Sequence, residues 1–168
     1  MILRFKEKSP KVHPTVFIAE NAMVIGEVEI GPESNIWFNS VIRGDLNSIR
    51  IGSRVNIQDG CILHVDKDFY PLIIEDEVIL GHRVVAHGCT IRKGSLIGIG
   101  AILLNGVEIG EHSIIGAGSI VTPKTVIPPN TLAFGAPAKP IRALGEKDLK
   151  MIRNTLQDYQ YLKKCYQE

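Results

Sequence analysis

Three of the five histidines lie close together in the sequence, at His64, His82 and His87. Neutral imidazoles are common zinc ligands, and three of them leave a divalent ion with its full charge and one open coordination position. Such an ion makes bound water acidic and so supplies a nucleophile. We interpret the other two, His13 and His112, as surface residues. The chemistry therefore depends on whether the fold brings the first three rings together.

An aliphatic residue recurs every six positions along most of the chain. The series is interrupted by insertions of three and five residues and by one deletion. β-Branched residues, which favour strands, dominate it. Its eighteen members are Ile18, Val24, Ile30, Ile36, Ile42, Ile51, Ile57, Leu63, Ile74, Leu80, Ala86, Ile91, Ile97, Leu103, Ile109, Ile115, Val121 and Ile127.

The fifth residue of each hexad supports the same register, because it is usually small or β-branched. Examples are Val28, Ser34, Ser40, Val55, Cys61, Val78, Val84, Thr90, Ser95, Ala101, Ser113, Ser119 and Thr125. Such hexads predict an all-β fold, a parallel β-helix in which three hexads make one coil. Eighteen hexads give about six coils. A β-sandwich explains a period of two but not a period of six.

The chain changes character after the repeats. The segment from Gly135 to Pro140 breaks the pattern, and apolar residues then follow helical spacing at Leu149, Ile152, Leu156, Tyr159 and Leu162. We predict a C-terminal helix from about Glu146 to Tyr166, packed on the outside of the coil. The chain is expected to form one unit in two parts, a hexapeptide-repeat β-helix over 1–140 and a helical segment over 141–168. Open ends and flat faces also favour self-association.

The hexad register indicates which histidines can meet. His64 and His87 occupy the second, outward-pointing position of hexads that lie one coil apart on one face. Coils stack at about 4.8 Å, so the two rings can bind one ion at about 2.0–2.1 Å. His82 belongs to the preceding face, near a corner. We therefore predict a site in which a neighbouring subunit of a threefold oligomer provides His82.

Further polar residues fall near this column. Arg43 lies one coil below His64, and Asp59 lies one coil below His82. Three more, Asp45, Asn56 and Gln58, are close in register. Arg43 and Asp45 fit either a salt bridge that stabilises a trimer or a catalytic element, and the two roles are compatible.

Composition excludes several classes of protein. The formal net charge is +1, which argues against a dedicated nucleic-acid binder or a polybasic membrane-surface protein. No apolar run approaches the roughly 20 residues that span a bilayer, and the first ten residues hold no apolar signal core. We expect a cytoplasmic protein. Three scattered cysteines make neither a disulfide framework nor a CxxC zinc motif.

Three segments together resemble the γ-class carbonic anhydrase family. They are Asn39 to Asp45 (NSVIRGD), Asn56 to His64 (NIQDGCILH) and Gly81 to Cys89 (GHRVVAHGC), with Gly135 to Lys139 (GAPAK) similar to that family's exit from the coil. The resemblance covers nearly the whole chain. It implies a left-handed β-helix, a homotrimer, zinc or iron at each subunit interface, and reversible hydration of CO2 to bicarbonate. In carbonic anhydrase the pKa of zinc-bound water is about 7.

The resemblance also implies roles for single residues. His64, His82 and His87 match the metal ligands, and Gln58 matches the residue that orients the metal-bound water. Arg43 and Asp45 match a pair that joins subunits near the site, Asp59 lies beside them, and Asn56 supports Gln58.

This chain departs from the best-studied family pattern in three places. Leu46 stands where that pattern has a glutamate, and Ala133 stands where some relatives have a tyrosine. The acidic loop after the first ligand is reduced to a short segment in which Asp66 or Asp68 could replace the missing carboxylate.

Three other functions remain open from the sequence. Many hexapeptide-repeat proteins are acyltransferases that use one interfacial histidine as a general base without a metal. The same metal site could also serve a hydrolase, such as a thioesterase. A third possibility is a non-catalytic scaffold in which the metal only joins the trimer.

Overall fold

The computed structural model describes residues 1–167. It contains twenty strands, most of them short, followed by one helix. The strands are β1 (Ile2–Leu3), β2 (Lys11–Val12), β3 (Phe17–Ile18), β4 (Met23–Ile30), β5 (Asn35–Ile36), β6 (Val41–Ile51), β7 (Asn56–Ile57), β8 (Ile62–His64), β9 (Leu72–Ile74), β10 (Ile79–Leu80), β11 (Val85–His87), β12 (Thr90–Ile91), β13 (Leu96–Ile97), β14 (Ile102–Leu103), β15 (Glu108–Ile109), β16 (Ile114–Ile115), β17 (Ile120–Val121), β18 (Val126–Ile127), β19 (Thr131–Gly135) and β20 (Ala138–Ala143). The helix is α1 (Glu146–Gln167).

The strands stack into a parallel β-helix, as the hexads predict. One sheet, here called the helix face, has the order β19-β16-β13-β10-β7-β5-β3, with β20 added antiparallel beside β19. A second sheet covers the two other faces, because the long strands β4 and β6 continue around a corner. The seven parallel strands of the helix face make seven turns, one more than predicted, because Ala133 in β19 continues the series after Ile127.

Nearly all of the predicted interior positions are buried, whereas Ile18, Thr90 and Thr125 are only partly buried. The aliphatic columns form one continuous core, in which Ile36, Ile57 and Ile97 are fully inaccessible. Burying a side chain of this size contributes about 1.5–3 kcal/mol. The serines at the fifth position are also inside, and they form hydrogen bonds with the next coil, as where Ser40 donates to the carbonyl of Gln58 at 2.9 Å. Hydrophobic burial and hydrogen bonding thus use the same repeat.

Close stacking accounts for glycine at the second position of several hexads. A Cβ at Gly31 would lie 2.8 Å from the backbone of Gly52, and a Cβ at Gly52 would lie 2.4 Å from a carboxylate oxygen of Asp76. The Asp76 oxygen accepts a hydrogen bond from the backbone N–H of Ser53 at 2.7 Å. A larger residue at either position would therefore separate neighbouring coils.

The C-terminal helix is confirmed, with Glu146–Gln167 matching the predicted span closely. Ile152 and Leu156 are buried against Ile79 and Ile114 of the helix face. Near the end of the helix, the buried Lys163 ammonium donates to the carbonyl of Thr15 at 2.8 Å and to the Glu33 carboxylate at 2.7 Å. The helix is therefore held to the coil at both ends. The boundary expected at residue 140 falls inside β20.

Two further features bear on the sequence predictions. Burial raises the pKa of Cys61 and of Cys89 to about 12, so both are unreactive core thiols. None of the helical segments within residues 1–167 has the length and apolar character needed to cross a bilayer.

Isoleucines two positions apart test the assignment of interior and exterior positions. Ile97→Ala is expected to lower the free energy of unfolding by about 2–5 kcal/mol, because Ile97 is fully buried in the core. Ile99→Ala is the matched control, since Ile99 is 55% exposed, and it should change stability by less than about 0.5 kcal/mol. Urea unfolding at one fixed protein concentration measures both. Equal losses would contradict the register.

Candidate metal centre

Two of the three predicted ligands meet on one face of the coil. This histidine face is formed by β8, β11, β14 and β17. The parallel ladder between β8 and β11 places His64 directly opposite His87. Their ring centroids are 5.1 Å apart, and His64 Nδ1 lies 3.1 Å from His87 Nε2. The hexad register therefore predicted this pair correctly.

Asp45 holds the far side of the His64 ring. His64 Nε2 and Asp45 Oδ1 are 2.8 Å apart, and Asp45 is also paired with Arg43. Partial burial raises the pKa of Asp45, but the hydrogen bond from His64 and the pairing with Arg43 outweigh it, so the pKa lies below its usual value. Because an ionised carboxylate only accepts hydrogen bonds, His64 carries its hydrogen on Nε2 and presents a lone pair at Nδ1.

Asn105 accepts a hydrogen bond from the far side of the His87 ring, as Asp45 does for His64. Its Oδ1 lies 2.5 Å from His87 Nδ1, while its Nδ2 donates to Asp66 Oδ2 at 2.9 Å. The Asp66 carboxylate fixes which end of the amide is the nitrogen, so the oxygen must face His87. His87 therefore carries its hydrogen on Nδ1 and presents a lone pair at Nε2.

The two lone pairs point at each other. At 3.1 Å, His64 Nδ1 and His87 Nε2 repel unless a cation lies between them. A tetrahedral ion with metal–nitrogen bonds of about 2.0–2.1 Å holds its ligand atoms about 3.3 Å apart. The donor set and its spacing therefore fit zinc or a similar divalent ion. Metal-binding histidines usually donate the hydrogen of their other ring nitrogen to an oxygen acceptor, as His64 and His87 do here.

His82 lies apart from this pair, in the turn between β10 and β11. Its Nδ1 is 2.8 Å from Asp59 Oδ2, so its Nε2 also presents a lone pair. The one hydrogen-bond partner of Nε2 within residues 1–167 is the hydroxyl of Tyr159 on α1, at 3.5 Å. Burial and the nearby Asp59 charge raise the pKa of Tyr159, so its phenol remains a donor. His82 and Asp59 line an open concavity of about 600 Å³.

One chain does not assemble a complete site. Within the part of the chain that the structure describes, no cluster of three or more His, Cys, Asp or Glu side chains could hold a metal ion. His82 presents one nitrogen at a corner, whereas His64 and His87 present two on the adjoining face.

Asn56 and Gln58 lie on the helix face, not beside the His64–His87 pair. They belong to β7 and the turn that follows it, in the other sheet. Gln58 Nε2 donates to Asn56 Oδ1 at 3.0 Å, and Asn56 Nδ2 donates to Asn35 Oδ1 at 2.5 Å. Gln58 is followed directly by Asp59, which pairs with His82, so the backbone of Gln58 enters the corner at which His82 lies.

The sequence reasoning missed two residues of the site. Asn105 lies one coil above Gly88, and the hexad register could have placed it beside His87. Tyr159 could not have been found, because the period of a helix does not tell which coil each turn will contact. Of the two loop carboxylates considered, Asp66 contacts Asn105, whereas Asp68 is exposed.

Replacing Asn105 tests whether it orients His87. Asn105→Leu should weaken zinc binding by about 10- to 100-fold, since His87 can then carry its hydrogen on Nε2 and donate it to His64. Competition with a chromophoric chelator on metal-free protein measures the affinity. Asn154→Leu, at an exposed helical position, is the control. An unchanged zinc affinity in Asn105→Leu would show that Asn105 has no such role.

Comparisons with known proteins show similar sequences and a similar fold. The family model for the bacterial transferase hexapeptide (six repeats) matches residues 88–123. A Geobacillus kaustophilus protein named carbonic anhydrase is 48% identical, covering 100% of this chain and 94% of its own length. The mitochondrial gamma carbonic anhydrase 2 of Arabidopsis thaliana is 42% identical over 91% of this chain, which spans 57% of that longer protein.

A solved Bacillus cereus structure, described as a proposed acetyltransferase, is also similar. It has a TM-score of 0.96 and 50% identity, and the match covers 98% of this chain and 95% of that chain. The fold is therefore shared by proteins named for two different activities. The extent and identity of the carbonic anhydrase matches show that this chain belongs to the γ-class carbonic anhydrase family.

Proposed function

We propose that the protein is a γ-carbonic anhydrase-like lyase that interconverts CO2 and bicarbonate at a metal site shared between subunits of a homotrimer. The observation that carries this proposal is the common state of the three histidines. In each ring one nitrogen lies against an oxygen acceptor, so the other nitrogen presents a lone pair. His64 and His87 present theirs to each other, and His82 presents its own beside the Tyr159 hydroxyl. Neutral, oriented imidazoles are what a catalytic zinc site requires.

Zinc or ferrous iron fits this donor set, with one ion expected at each interface. His64 and His87 of one subunit and His82 of its neighbour would hold it. When bound, the ion supplies the positive charge that makes a water molecule nucleophilic near neutral pH.

The remaining residues have supporting roles. Asp45, Asn105 and Asp59 each keep a hydrogen on the far nitrogen of one ligand ring, and Arg43 keeps Asp45 ionised. Gln58 presents its side-chain amide at the same corner as His82 and would orient the nucleophilic water. CO2 needs no charged binding group, which agrees with the aliphatic side chains of Val41, Ile62 and Val85 beside the histidines.

The exposed surface supports a trimer. The outward positions beside the histidines are aliphatic, including Val41, Ile62 and Val85, and Ile62 is 42% exposed. The third face, formed by β9, β12, β15 and β18, carries paired charges instead. An example is Arg92, which lies between Glu75 and Glu108 at 2.8 Å from each. A neighbouring subunit on the histidine face would bury the aliphatic residues and complete the site. The proposal includes a cytoplasmic location, as expected from the sequence.

A second candidate is a hexapeptide acyltransferase, which the Bacillus cereus relative favours. That reaction needs one histidine as a general base and no metal. It leaves the matched orientation of three histidines unexplained, so we place it second. Stoichiometric metal separates the two functions.

Metal analysis of His82→Ala tests the proposal. Anaerobically purified wild-type protein should contain about one zinc or iron per chain and hydrate CO2 in a stopped-flow assay. His82→Ala should lose most of the metal and at least about 100-fold in rate, because one of three ligands is gone. The control is His13→Ala, an exposed histidine outside the site.

Three results would contradict the proposal. A wild-type trimer without metal would favour the acyltransferase. Full metal in His82→Ala would show that His82 is not a ligand. Wild-type protein with metal but without CO2 hydration would indicate a hydrolase or a scaffold.

A further inference from the structure

We infer that Trp37 determines which end of the Gln58 side-chain amide faces the site, acting through Asn35 and Asn56. Trp37 and Asn35 are thus positioning residues. The value of this orientation for catalysis rests on the proposed function, but the orientation itself can be measured separately.

The four side chains form one buried hydrogen-bonded chain. Trp37 Nε1 donates to Asn35 Oδ1 at 2.7 Å. The same oxygen accepts from Asn56 Nδ2 at 2.5 Å, and Asn56 Oδ1 accepts from Gln58 Nε2 at 3.0 Å. Asn35 and Asn56 are fully buried, Trp37 is 4% exposed and Gln58 is 6% exposed. Water therefore has little access to rearrange these bonds.

The donor-to-acceptor direction of these hydrogen bonds follows from the chemistry of indole. Trp Nε1 is a donor and never an acceptor, whereas an Asn or Gln amide can be turned to present either end. Trp37 therefore requires the oxygen of Asn35. That oxygen in turn requires the nitrogen of Asn56, which leaves the oxygen of Asn56 for the nitrogen of Gln58. Each amide is fixed by the one before it.

An unsatisfied group shows that this direction is imposed. Asn35 Nδ2 is the one buried side-chain nitrogen or oxygen within residues 1–167 that has no hydrogen-bond partner. An unpaired buried amide group is destabilising, because it has lost its hydrogen bonds to water and gained none in the protein. Turning Asn35 over would place its NH2 group against both the Trp37 indole N–H and the Asn56 NH2 group, which is worse. The network retains one unsatisfied NH2 group and keeps its direction.

The result is a Gln58 oxygen that is free to accept. Its Oε1 has no hydrogen-bond partner in the described part of the chain and is not a buried unsatisfied atom, so it reaches the surface. An acceptor can take the hydrogen of a nucleophilic water and leave the oxygen lone pairs free. The reversed amide would donate to those lone pairs and weaken the nucleophile. Preorganised polar groups of this kind are effective because they need no reorientation during the reaction.

Trp37 is itself held rigidly. Its ring centroid lies 5.1 Å from Phe17 and 5.3 Å from Tyr159 of α1, the residue whose hydroxyl is near His82. The helix that covers this face therefore also fixes the first donor of the chain. Trp37 is the single tryptophan of the protein, so it can be replaced without altering any other position.

Removing the indole N–H tests the inference. Trp37→Phe keeps an aromatic ring but has no donor, so Asn35, Asn56 and Gln58 can turn over together. We expect kcat for CO2 hydration to fall about tenfold or more, with KM and metal content unchanged. Phe17→Leu is the control, since it disturbs the same aromatic cluster and leaves the hydrogen-bonded chain intact. A second variant, with Trp37 replaced by its sulfur isostere benzothienylalanine, removes the donor with almost no change in shape.

A measurement that does not need activity accompanies the kinetics. The side-chain NH2 signals of Gln58, identified by their loss in Gln58→Ala, should exchange with solvent about tenfold faster in both Trp37 variants than in wild type. Unchanged exchange and unchanged kcat in the isostere would overturn the inference. If the wild type does not hydrate CO2, the proposed function fails, and the Gln58 signals still decide the role of Trp37.

Discussion

Neighbouring coils of this β-helix are joined by parallel ladders, and each residue lies directly above its equivalent in the coil below. This geometric constraint determines the core, because it aligns the aliphatic columns, and it determines the site, because it places His64 opposite His87. Outward side chains one coil apart are about 4.8 Å apart. Two imidazoles at that spacing can share one cation without any special loop to hold them.

Stacking alone does not make a metal site, since each imidazole must also present the correct nitrogen. Here acceptors on the far side of each ring decide this, with Asp45, Asn105 and Asp59 serving His64, His87 and His82. The hydrogen bonds that run from Trp37 to Gln58 orient a side-chain amide in the same way. In both cases a group that can only donate or only accept fixes a neighbour that could do either. The candidate site therefore depends on the direction of these hydrogen bonds as much as on the positions of the three histidines.

The hexad pattern allowed the β-helix, the pairing of His64 with His87 and the separate position of His82 to be predicted, because all three depend on register alone. The C-terminal helix was equally visible in its apolar spacing. Asn35 and Trp37 were not identified, because register shows which residues are neighbours and not which hydrogen bonds they make. Tyr159 depends on how α1 docks on the coil. Asn56 and Gln58 proved to lie on another face because the chain turns a corner before His64.

Subunit complementation tests the shared site most directly. His64→Ala and His82→Ala homotrimers should each be inactive and poor in metal, because each lacks a ligand at every interface. Refolded as an equal mixture, they should regain about a quarter of wild-type metal and CO2 hydration, since a His82→Ala subunit next to a His64→Ala subunit, in one order only, forms an intact site. No recovery in mixed trimers, or activity in either homotrimer alone, would contradict a metal centre shared between subunits.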